Sequence, residues 1–177
     1  MTIDEKEKPR IYVACLAAYN NGKLHGEWID CDRDSSDIWN EINAMLAASP
    51  EPDAEEWAIH DFENWHEIQI GENENIEKLA ELAQLLKEHG KPFAHYYQDN
   101  GSDTTAEDFQ DHYMGQYEDE KDFVYQMWEE CGTLKKLEEI NINECYIDWA
   151  AIARDWFISD YLSVEVGYKE TYVFNRH

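Results

Sequence analysis

Residues 55–65, EEWAIHDFENW, gather four acids, two tryptophans and a histidine into eleven positions. These are the residue types of proton transfer and of metal binding. Histidine is the side chain suited to moving protons, and a carboxylate held beside His60 could orient the ring or share a cation. His66 and Glu67 follow at once. The spacing does not sustain either chemistry. No HExxH or other recognised metal pattern is present. On a strand, His60 and Asp61 would point to opposite faces. A catalytic carboxylate pair works because burial raises one pKa, and a chain with 40 Asp and Glu singles out no such pair.

A second stretch imitates a calcium loop. In DCDRDSSDIWNE, residues 30–41, Asp30, Asp32, Asp34 and Glu41 fall at EF-hand positions 1, 3, 5 and 12. The sharp turn needs glycine at position 6, where Ser35 stands. Position 8 is Asp37 where an apolar residue usually seals the loop, and the segment follows a strand signal rather than a helix. A helix start with acids favoured by the helix dipole is the better reading. Nucleophilic and phosphate-binding motifs are missing too: the sequence contains no GxSxG, P-loop or GxGxxG. Cys15, Cys31, Cys131 and Cys145 form no CxxC pair and read as reduced, mostly buried thiols. No cofactor and no metal is expected.

Behind these residues stands a β-rich start. RIYVACLAA, residues 10–18, predicts a strand, Asn21-Gly22 a hairpin turn, and LHGEWID, residues 24–30, the returning strand. Ile38, Ile42, Met45 and Leu46 mark a helix that stops before Pro50 and Pro52. WAIHDF, residues 57–62, alternates as a third strand, with Trp57, Ile59 and Asp61 on one side. A helix capped by Asn73 or Asn75 carries Ile76, Leu79, Ala83 and Leu86, and Gly90 and Pro92 end it. PFAHYY, residues 92–97, continues as a short helix. Thr104 and Glu107 suggest a capping box for a helix through Phe109 and Tyr113 to Gly115. Val124, Met127, Trp128 and Cys131 share one face of the next helix. Residues 146–158 form another, and LSVEV and TYVFN close the chain as two strands. The fold class is α+β, built from small units that lean on each other or on a second subunit.

Charge is the outlying property. Against 40 Asp and Glu stand 14 Lys and Arg, for a net −26. Residues 1–61, 62–103 and 104–177 carry −9, −6 and −11, so the field belongs to the whole surface. B-DNA holds one charge per ~1.7 Å, so 26 charges match roughly 44 Å of duplex. A compact chain of this length is on the order of 40 Å across. Phosphates would be repelled, which excludes nucleic acid as a ligand, and a basic partner is favoured, above all one whose surface normally holds DNA. No apolar span suits a membrane and no secretory signal is seen, so the expected location is the cytoplasm.

The acids group as Glu55, Glu56, Asp61 and Glu63; Asp99, Asp103, Glu107, Asp108 and Asp111; Glu118, Asp119, Glu120 and Asp122; and Glu129 and Glu130. Taken one at a time each is an ordinary solvated face. Taken together they are carboxylate groups interrupted by aromatics, much as phosphates alternate with bases.

Three long strings carry a family resemblance: PRIYVACLAAYNNGKLHGEWID, EEWAIHDFENW, and YIDWAAIARDW with the closing TYVFNR. Across nearly the whole chain they resemble the ArdA antirestriction proteins. The polar leader before Pro9 and a few extra residues in the C-terminal half depart from the family pattern. The resemblance implies a non-catalytic DNA mimic carried by mobile elements, which occupies the DNA-binding groove of type I restriction-modification enzymes at their modification and specificity core. It implies an elongated chain of three small domains, here 1–61, 62–103 and 104–177, the first a sheet with a helix, the second helical, the third helices with a small sheet. It also implies a homodimer through the C-terminal domain, near Leu134, Leu137, Ile140, Ile142 and Trp149. The acids of the four groups would be the partner-binding residues. Two rivals remain: an acidic adaptor for another basic DNA-binding protein, and a metal-dependent hydrolase using His60 and nearby carboxylates.

Overall fold

Alternating burial makes Arg10–Cys15 a strand, β1: Ile11, Val13 and Cys15 are fully buried, while Arg10 and Tyr12 are not. In this computed structural model, which describes residues 7–177, β1 is the centre of an antiparallel sheet. β2 (Gly26–Asp30) and β3 (Trp57–Glu63) flank it in the order β2-β1-β3. The Asn21-Gly22 signal does not close a two-residue hairpin. Leu16–Asn20 coils into a one-turn helix, α1, and the Asn21 and Gly22 amides donate to the Ala18 and Tyr19 carbonyls. Gly22, at φ 73°, supplies the left-handed residue that ends it. The turn chemistry is that of a helix stop.

Helix α2, Ser35–Ala47, seats Ile38, Ile42 and Met45 on the sheet's inner face. Each such side chain removed from water contributes about 1.5–3 kcal/mol. Asp34 stands at its N-cap without a capping hydrogen bond from its side chain. Helix α3, Ile76–Asn100, packs on α2 and is capped by Asn75, whose side chain accepts from the Lys78 amide. Its expected stripe of Ile76, Leu79, Ala83 and Leu86 is buried. Gly90 (φ 65°, ψ −149°) breaks the helix, which resumes across Pro92. The two expected helices therefore meet at a kink.

The chain divides into two compact units, the first ending at Asp103 and the second spanning Thr104–His177. The second opens with α4, Ala106–His112. Its capping box is Thr105 with Asp108, one residue beyond the predicted pair: the Asp108 amide donates to Thr105 Oγ1 at 3.1 Å and the Thr105 amide to Asp108 Oδ2 at 3.0 Å. The helix ends three residues earlier than expected, because Tyr113–Tyr117 extends as strand β4 and pairs with the last strand. Helices α5 (Glu120–Glu130), α6 (Thr133–Glu139) and α7 (Trp149–Ser159) follow, with one 3-10 turn at Glu144–Tyr146 between the last two. The hairpin β5 (Tyr161–Gly167) and β6 (Glu170–Asn175) completes a sheet in the order β4-β6-β5. Its core is aromatic. Phe123 is fully buried and meets Tyr117, Trp156, Phe157 and Tyr161 edge-on at 4.8–6.1 Å. The expected face of α5 holds for Val124, Met127 and Trp128, but Cys131 lies past the helix end and is exposed. The architecture is mixed α+β. Among the described residues no helix is long and apolar enough to cross a membrane.

Candidate protein-binding interface

The fate of His60 follows from a slip in strand pairing. Tyr12 pairs with Asp61 and Val13 with Ile59, so His60 is the extra residue of a β-bulge. A bulge re-aims the side chains beyond it. Ile59 is buried, whereas Asp61 turns out to solvent beside Tyr12, against the expectation that both share a face with Trp57. His60 is exposed and stands edge-on to the Tyr19 ring at 4.7 Å. Among the described residues its ring makes no hydrogen bond or ion pair. Nor do any three His, Cys, Asp or Glu side chains there gather in a way that could hold a metal ion. Of the calcium-like acids, Asp32 pairs with Lys87 at 3.4 Å and Glu41 with Arg33 at 2.7 Å. In the second unit a pocket of about 520 Å³ opens between α7 and β5. Its Ser163 hydroxyl donates to Glu120 at 2.6 Å, and no histidine lines it to act as a base.

The candidate acids are largely on the surface. Thirteen of the fifteen are exposed, and only Glu120 and Asp122 are half-buried. They separate by task. Asp108 closes the α4 box, and hydrogen bonds from Thr105 hold its carboxyl below the usual range. Asp119 caps α5 by accepting from the Asp122 amide at 2.9 Å, and Asp122 accepts from the Glu118 amide at 2.9 Å. Asp61 accepts from the Phe62 amide at 2.8 Å. Glu63 takes Arg10 and Glu118 takes Lys169 as ion-pair partners. In contrast, the carboxylates of Glu55, Glu56, Asp99, Asp103, Glu107, Asp111, Glu129 and Glu130 engage no donor among the described residues. All eight are exposed to solvent. Among the described residues seven Lys and Arg lean on a neighbouring acid, which leaves the acids far in excess of the remaining cations.

The apolar residues expected at a dimer contact are mixed in exposure. Ile140 is 64% and Ile142 40% exposed, Leu134 and Leu137 are half-buried, and Trp149 packs edge-on against Tyr125 and Trp128 at 5.2 Å. One group that sequence reading did not single out is the aromatic pair Tyr12 and Trp28, with Arg10 across it. The outward positions of RIYVAC and GEWID carry that signal, once β1 and β2 are paired.

The family model for the antirestriction protein ArdA matches residues 11–170. The chain belongs to the ArdA family. No curated protein matches it. The matched span runs from β1 to the first residue of β6 and includes EEWAIHDFENW and YIDWAAIARDW. The closing TYVFNR lies just beyond it. An antirestriction function follows from ArdA membership, and restriction enzymes are what such a protein acts against.

Proposed function

We propose that this ArdA protein is a non-catalytic DNA mimic that occupies the DNA-binding groove of a type I restriction-modification enzyme, at its methyltransferase core. The observation that carries the reading is the spread of exposed carboxylates, many without partners, over a chain of net −26. Such a surface meets the Lys and Arg that normally bind phosphate. Its field speeds encounter, and the counterions it releases favour binding at low salt. Residues 1–61, 62–103 and 104–177 act as three small domains in this reading, with all four acid groups contributing. Two chains associate near Leu134, Leu137, Ile140, Ile142 and Trp149, and a dimer of −52 matches the charge of roughly 88 Å of duplex. The protein works in the cytoplasm and protects incoming mobile DNA.

Competition tests this directly. The purified protein displaces labelled duplex from a type I methyltransferase, and the concentration needed rises steeply between about 50 and 200 mM salt. Absence of displacement at any salt overturns the proposal.

A further inference from the structure

The outer face of the first sheet carries a built arrangement of rings and carboxylates. The register sets Tyr12 between Trp28 on β2 and Asp61 on β3, and Arg10 between Asp30 and Glu63. The Tyr12 and Trp28 rings lie 5.5 Å apart. The Arg10 guanidinium sits 4.8 Å from the Trp28 ring centroid, and its Nη2 and Nε donate to Glu63 Oε2 at 2.6 and 2.8 Å. Trp28 stays 36% exposed, in a unit that buries Trp65 to 2%. Core packing does not require this pair, because Ile11, Val13 and Ile29 close the opposite face completely.

A ring face flanked by carboxylates is the surround that a guanidinium takes: it stacks on the ring and its fork bonds the acid. Arg10 already occupies that position from within the chain. We propose that this face is an arginine seat, in which an arginine from the DNA-binding groove of the restriction-modification enzyme stacks on Trp28 and bonds Glu63 or Asp61, displacing Arg10. The inference rests on the mimic reading above, which supplies a partner rich in arginine, and it names where that partner is gripped by more than charge. Complementarity of charge commits the occupant, since Asp30, Asp61 and Glu63 stand beside Arg10 and Tyr12 in the register and Arg10 is the cation paired with Glu63 there. Displacement is inexpensive because an exposed Arg–Glu pair contributes little net stability, whereas tryptophan, tyrosine and arginine dominate the energy of protein interfaces.

The test compares wild type, Trp28→Leu and Arg10→Gln for displacement of labelled duplex from a type I methyltransferase at low salt. Circular dichroism and melting establish that each variant is folded. Trp28→Leu raises the half-displacing concentration by about tenfold. Arg10→Gln, which empties the seat and frees Glu63, lowers it by about threefold or more. If wild type displaces DNA while Trp28→Leu stays within about twofold of it, the seat is overturned and the mimic reading stands. If Arg10→Gln binds no better than wild type, the seat is likewise overturned, and this arm holds even where Trp28→Leu fails to fold. If wild type displaces nothing, both readings fall together.

Discussion

The indole N–H of Trp65 donates to the carbonyl of Arg10 at 3.0 Å. This bond ties the segment after β3 back to the first residue of the central strand, and Trp65 is 2% exposed. Asn64 adds a parallel tie, donating from Nδ2 to the Lys8 carbonyl at 2.9 Å. Asn64, His66 and Glu67 all take left-handed backbone (φ 66°, 50° and 69°), so the chain turns sharply around the tryptophan. A stretch with the residue types of an active site is a clasp: Trp65 locks it, the bulge at His60 turns Asp61 outward, and Glu63 holds Arg10. Its acids are left on the surface because its aromatic residues do the folding.

Trp65→Phe therefore separates the clasp from the packing. The ring volume is mostly kept, but the Arg10 carbonyl loses its indole donor in a part-buried setting, which costs about 1 kcal/mol. Urea unfolding should show a lower midpoint with an unchanged slope. A midpoint equal to wild type would mean that the bond contributes nothing and that Trp65 acts only as filler.

Much of this was legible in the sequence, and the exceptions share a cause. The stripe of α3, its Asn75 cap and the closing hairpin were readable because periodicity and capping are local. The bulge at His60 was not, since it exists only in the register between β1 and β3. Tyr113–Tyr117 reads as a helix end by local pattern. It becomes a strand because β6 offers a free edge, with Tyr113 stacked on Phe109 at 4.9 Å and tilted against Phe174 at 5.5 Å. The Asn21-Gly22 signal marks the position of the turn and not its kind, because a left-handed glycine serves a helix stop as well as a hairpin. For the interface, acid content was plain. The division of labour among the acids was not, because whether Asp119 faces a partner or caps its own helix depends on where α5 starts. The Tyr12–Trp28 pair needed strand pairing to be seen at all.

The four thiols should fall into two pairs by reactivity. Cys15 and Cys31 are buried, and burial pushes the Cys31 thiol up to about 12. Thiolate is the reactive form, so at a pH of about 8 Cys31 is both shielded and protonated. Cys131 and Cys145 are exposed. An aromatic disulfide reagent at that pH should titrate two thiols quickly in the native protein and all four after unfolding. Cys31 should stay slow as pH rises toward about 10, because both its shielding and its raised pKa persist there. Four fast thiols in the native state would contradict the packing of β1 and of the segment after β2.

The acid groups should not be equivalent on neutralisation, and the difference checks the role assigned to charge. Replacing Glu55, Glu56, Glu129 and Glu130 by Gln removes four carboxylates that engage no donor among the described residues. Melting should stay within a few degrees of wild type, since exposed changes of this kind are usually within about 0.5 kcal/mol each. Displacement of DNA from a type I methyltransferase should weaken by an order of magnitude or more, and its salt dependence should flatten, because fewer counterions are released. Any one of the four alone should matter little in a field this widely spread. Asp119→Ala together with Asp122→Ala behaves differently. Asp119 is the α5 N-cap and Asp122 accepts from the Glu118 amide, so the pair lowers stability by about 1–2 kcal/mol through the helix start, and any loss of inhibition is mixed with loss of fold. Equal melting temperatures for the two multiple variants would overturn this division of labour. A four-Gln variant that inhibits as well as wild type would show that these acids do not stand in for phosphates.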